Sequence, residues 1–74
     1  MLQLNNPKDV QLSEKEITVL KLICDDKDTK EIASILDLSP RTIEKRRDDL
    51  RSKTGAKGYP GLVRFAINSG IVKV

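Results

Sequence analysis

Histidine and tryptophan are absent from the 74 residues, and cysteine, methionine, tyrosine and phenylalanine occur once each. Without histidine the chain lacks the side chain whose ordinary titration falls near neutral pH, so the commonest general base is missing. The single Cys24 permits neither an internal disulfide nor a cysteine metal cluster. Aromatics make up 3%, Tyr59 and Phe65 alone, so the core must be small and aliphatic, with little left over to wall off a deep substrate pocket. Ser13, Ser34, Ser39 and Ser52 have no histidine to activate them, and no glycine-rich phosphate cradle is present. No apolar run approaches the ~20 residues that cross a bilayer. The opening Met1-Leu2-Gln3-Leu4-Asn5-Asn6-Pro7 lacks the basic-then-apolar order of a secretion signal. These absences argue against an enzyme and against a membrane protein. One unpaired cysteine without such a signal fits the reducing cytoplasm.

What is present is a chain long enough for one domain, since small domains below roughly 40 residues need staples to fold. Charge is abundant but unevenly placed. Fourteen Lys+Arg oppose eleven Asp+Glu, a net +3. Residues 13–37 hold four basic and seven acidic side chains, whereas residues 41–57 hold seven basic and three acidic. A modest total therefore conceals a basic second half, and such asymmetry speaks to partners more than the total does.

The hydrophobic pattern is helical throughout, giving an all-α expectation. Residues 1–11 show no sustained periodicity and read as a tail or the end of a linker, with the domain proper over 12–74. Ser13-Glu14-Lys15-Glu16 has the order of a capping box, with Leu12 and Ile17 spaced as a hydrophobic staple. Ile17, Leu20, Ile23 and Cys24 then form one apolar stripe with Val19 at its edge. Asp25-Asp26-Lys27-Asp28 ends that helix with turn formers and unfavourable acidic charge. Thr29 is the expected N-cap of a short second helix burying Ile32, Ala33, Ile35 and Leu36. Ser39-Pro40 supplies a cap and an N1 proline for a third helix from Pro40 to about Lys53. Gly55 suits the left-handed position that closes it. A fourth helix fits from about Pro60 to Asn68, stopped by Gly70.

Two short helices joined by a tight turn suggest a helix-turn-helix, with the small Ala33 allowing close crossing. At 100° per residue Arg41, Glu44, Lys45, Asp48 and Ser52 share one face of the third helix, opposite Ile43 and Leu50. That face is polar and free of apolar residues. It suits a helix lying in the major groove of DNA, whose width of ~12 Å admits one α-helix. The same helices with a mixed-charge face also describe a protein-interaction module, which Glu44 and Asp48 support.

The chain resembles the LuxR/GerE-type DNA-binding domains. The opening Leu12-Ser13-x-Lys15-Glu16-x-x-Val19-Leu20-x-Leu22-Ile23 is similar to theirs. So is Lys30-Glu31-Ile32-Ala33-x-x-Leu36-x-Leu38-Ser39-Pro40-Arg41-Thr42-Ile43-Glu44. The close, Lys53-Thr54-Gly55-Ala56-Lys57 and then Leu62-Val63-x-Phe65-Ala66-Ile67-x-x-Gly70-Ile71, completes a match from about Leu12 to Val72. Each fragment is weak alone; their order and spacing together carry the likeness. It departs at Arg46, where family members usually carry histidine, at Glu44, where many carry lysine, and at Asp48, where a basic residue can meet DNA.

The resemblance implies a tri-helical core with a fourth, dimerising helix, acting as the output module of a bacterial transcription regulator of the response-regulator kind. The expected partners are double-stranded DNA, a second copy of the chain that pairs weakly when free, RNA polymerase, and a receiver or sensor domain outside these residues. No cofactor or metal is implied. Arg41 and Lys45 are the leading base or phosphate contacts, arginine being able to bridge guanine O6 and N7. Glu44 and Asp48 can accept from a cytosine amino group. Thr42 is a candidate phosphate contact or a local cap, and Lys30 sits where free amides and a cation meet the DNA backbone. Arg46 is expected on a phosphate or against the domain. Arg47 is expected as a half-buried stem, with Arg51 and Lys57 extending the basic surface. On the fourth helix Val63 and Ile67 are either core or dimer seam, with Leu62 and Ala66 competing for the core role.

Overall fold

The computed structural model describes residues 10–73, and residues 1–9 of the expected tail lie outside them. Four helices follow in order: α1 (Glu14–Cys24), α2 (Thr29–Leu36), α3 (Pro40–Thr54) and α4 (Tyr59–Asn68), with no strand among the described residues. α1 lies against both α3 and α4, while α2 rests chiefly on α3.

Each helix begins where local chemistry satisfies its orphan amides. Ser13 Oγ accepts from the Glu16 amide at 3.1 Å while Glu16 Oε1 accepts from the Ser13 amide at 2.8 Å. α2 starts one residue earlier than Thr29 suggests. Asp28 is its N-cap, accepting from the Glu31 amide at 2.8 Å, and Glu31 returns the bond to the Asp28 amide at 3.0 Å. Two reciprocal bonds outcompete the single one that a threonine cap would make, and Thr29 becomes the first helical residue. Ser39 caps α3 through the Thr42 amide, with Pro40 next, and Gly55 closes the helix at φ 76°. α4 has no side-chain cap: Gly58 precedes it and proline stands in its first turn. A Cβ on Gly61 would fall 3.0 Å from the Ala56 Cβ, tighter than ordinary van der Waals contact.

The core is aliphatic, as the scarcity of aromatics requires. Val19, Leu20, Ile32, Ile43, Leu50 and Leu62 are enclosed, joined by Ile23, Ala33, Phe65 and Ala66. Each large side chain contributes about 1.5–3 kcal/mol by leaving water. Two helix faces differ from expectation. Val19 lies at the centre of the core rather than at its edge, and Ile17 and Cys24 are only half-buried. α1 is clasped by helices on two sides, which draws its buried stripe round to Val19. Ile35, expected inside, is 54% exposed. α2 has α3 as its main neighbour, so only a narrow stripe, Ile32 and Ala33, is covered completely.

Among the described residues no helix is long and apolar enough to cross a membrane.

Candidate nucleic-acid interface

The turn between α2 and α3 spans only residues 37–39. Asp37 closes α2 in the left-handed conformation at φ 57°, and Leu38 donates its amide to the Ala33 carbonyl at 2.9 Å. Ser39 then caps α3 immediately. That geometry presents α3 as a separate ridge. Its fifteen residues span about 22 Å at 1.5 Å per residue.

α3 is sharply two-faced. Ile43 and Leu50 are sealed in the core, whereas Arg41, Glu44, Lys45, Asp48 and Ser52 are all exposed. Arg41 and Lys45 make no ion pair among the described residues, so their charges are available to a ligand. Asp48 holds Arg51 in an ion pair at 2.5 Å, one turn apart on a largely exposed surface. The pair carries no net charge and sits where solvent screens it. Thr42 is half-buried and its hydroxyl lies 3.0 Å from that of Ser39, a local bond at the helix start. Lys30 is exposed in the first turn of α2, and Lys57 is exposed in the segment between α3 and α4.

Arg46 is half-buried between two shallow grooves. One is lined by Lys15, Thr18, Leu36 and Leu38, the other by Ser13, Glu16, Thr42 and Lys45. Its Nε is enclosed without a hydrogen-bond partner among the described residues.

Two side-chain ties of α3 escape a sequence reading because they join residues far apart in the chain. The first is Lys53, whose Nζ donates to Glu16 Oε1 at 2.9 Å and so anchors the end of α3 to the start of α1. Burial alone pushes the Glu16 carboxyl upward. The Ser13 amide and the Lys53 ammonium outweigh it and hold the group below its ordinary 4.5. The second is Arg47. Its stem is half-buried as expected, but its guanidinium also donates to Thr29 Oγ1 at 3.0 Å and to the Tyr59 hydroxyl, and stands 5.3 Å from the Tyr59 ring centroid. The acidic spacing of the capping box pointed to Glu16, though nothing local pointed to Lys53 or Tyr59.

α4 divides cleanly. Leu62 and Ala66 are enclosed with Phe65, whereas Ile67 is 39% exposed and Val63 is partly so. Val63 and Ile67 border an open groove of about 680 Å³ shared with Ile23, Cys24, Tyr59 and Arg64. Burial pushes the Cys24 thiol up, away from the thiolate form that reacts.

Residues 10–66 match the family model of bacterial regulatory proteins, luxR family. The chain is 44% identical over 59 residues to the transcriptional regulatory protein FixJ of Rhizobium meliloti, covering 80% of this chain and 29% of FixJ. It is 35% identical over 66 residues to the response regulatory protein YgeK of Escherichia coli, covering 89% of this chain and 45% of YgeK. With the oxygen regulatory protein NreC of Staphylococcus aureus it shares 34% over 62 residues, covering 84% of this chain and 29% of NreC. It thus spans less than half the length of each of these curated relatives. The match is to a family of regulators rather than of enzymes. The chain belongs to the luxR family of bacterial regulatory proteins and carries that family's helix-turn-helix DNA-binding domain.

Proposed function

We propose that this domain binds duplex DNA sequence-specifically with α3 in the major groove, as the output module of a cytoplasmic transcription regulator. The carrying observation is the two-faced α3: an exposed face without apolar residues, bearing the unpaired charges of Arg41 and Lys45, set on a sealed core. In this reading Arg41 and Lys45 meet base edges or phosphates, and Glu44 accepts from cytosine amino groups. Lys30 and the first amides of α2 engage one phosphate strand, with Thr42, Arg46 and Lys57 adding backbone contacts. Asp48 and Arg51 act as a pair that shapes the edge of the reading face.

Val63 and Ile67 supply the seam through which two copies pair on DNA, their exposure beside enclosed Leu62 and Ala66 supporting that role. The partly covered seam is small, so the free domain is monomeric at micromolar concentration. A receiver or sensor domain belongs to the whole protein, and RNA polymerase is its further contact.

Fluorescence anisotropy of the chain with short duplexes, repeated across salt concentrations, tests the reading. Affinity should fall with salt at a log–log slope of about −0.9 per neutralised phosphate. Lys45→Ala should reduce that slope by about 1 if Lys45 meets a phosphate, or relax preference at one base pair if it meets a base. Absence of binding at low salt, by the chain and by a fused dimer alike, refutes the reading in favour of a protein-interaction module.

A further inference from the structure

The helices that read DNA and the helix that carries the seam share one apolar core, with α1 packed against both α3 and α4. Among the described residues the backbones of α2 and α4 are not in contact, and α3 meets α4 less extensively than it meets α1 or α2. One charged side chain adds a polar tie across this junction. Arg47, on α3, donates from Nη1 both to Thr29 Oγ1, in the first turn of α2, and to the Tyr59 hydroxyl, in the first turn of α4. The Tyr59 ring lies against the guanidinium, 5.3 Å from its centroid. Planar arginine can stack and donate in several directions at once, whereas the ammonium of lysine is a point charge without a stacking face.

We propose that Arg47 is a positioning residue: it locks the α2–α3 reading pair to α4, and thereby sets the spacing between paired half-sites that the dimer prefers. The proposal rests on the DNA-binding and α4-pairing reading above. Arg47 needs no contact with DNA in this role. A rigid joint between seam and reading helix makes off-register half-sites costly, while a loose joint lets each reading helix reach its own half-site at small penalty. The Tyr59 bond matters most, because it spans the weaker junction; Thr29 ties the arginine to the α2 start beside Lys30.

The test uses the 74-residue chain and its Tyr59→Phe and Arg47→Lys variants. Anisotropy is measured on duplexes with one copy of a selected half-site, and on duplexes with two copies at stepped separations. Tyr59→Phe keeps the ring at a partly exposed position, so folding is preserved, and circular dichroism verifies it. The unsubstituted chain should favour one separation. Each variant should bind the single half-site unchanged yet lose about three- to tenfold of that preference, the net scale of an ordinary hydrogen bond at a partly exposed site. An unchanged spacing profile in both variants overturns the proposal, as does a flat profile in the unsubstituted chain. Parallel loss on single and paired half-sites also overturns it, since that reports general damage to the fold. No binding of the unsubstituted chain to any duplex instead overturns the DNA-binding reading itself.

Discussion

Removing the Glu16 side chain should weaken the domain by more than the loss of an ordinary surface ion pair does. Glu16 is 7% exposed and its Oε1 serves two donors, the Ser13 amide and Lys53 Nζ. Exposed pairs contribute about 0.2–1 kcal/mol, and hydrogen bonds to charged groups about 1.5–3 kcal/mol. Lys53 is half exposed, which screens its share, so a coupling of about 1 kcal/mol between the two side chains is expected. Glu16→Ala also deprives the Ser13 amide of its partner, raising the total to about 2 kcal/mol. For a domain this small that corresponds to a fall in Tm on the order of 10 °C. The assay is a double-mutant cycle of Glu16→Gln and Lys53→Met, followed by urea unfolding in far-UV circular dichroism. The acid limb gives a second readout. Because the folded carboxyl titrates below its ordinary 4.5, its contribution is complete above that value and is lost as pH falls through the lowered folded value. Glu16→Gln should flatten that part of the stability profile. Equal costs of Lys53→Met with and without Glu16, together with an unaltered acid limb, would refute the coupling.

Two further outcomes follow from burial and backbone geometry. Ile35→Ser should change stability by less than about 0.5 kcal/mol whereas Ile32→Ala costs about 3 kcal/mol, because only Ile32 is sealed; similar costs for the two in urea unfolding would contradict the assignment of α2's buried face. Asp37→Gly should stabilise by about 0.5–1 kcal/mol, since glycine removes the Cβ penalty of the left-handed conformation at φ 57°. A lower Tm for that variant would show that the aspartate side chain offsets the strain.

The local devices of this domain are written in short stretches of chain. Ser13 with Glu16, Ser39 with Pro40, and Gly55 each act within a few residues, so helix starts and stops could be read from spacing alone. The polar face of α3 was equally legible, because a fifteen-residue helix turns its residues by a constant angle whatever surrounds it. The start of α2 lies one residue earlier than spacing suggests, because Asp28, which reads as a turn former, exchanges reciprocal bonds with Glu31. Periodicity names a stripe on a helix but not its width. The number of neighbours sets that, which is why Val19 moved inward and Ile35 outward.

The sequence by itself determined four helices, a helix-turn-helix and a charged outer face, because caps, proline, glycine and a repeat of 3.6 are local instructions. Only the tertiary structure decided that Leu62 and Ala66 take the core while Val63 and Ile67 stay at the surface. It alone joined Glu16 to Lys53 and Arg47 to Thr29 and Tyr59, across separations of 37, 18 and 12 residues. Which partner a long charged side chain meets depends on how helices cross, and no pattern along one helix encodes that.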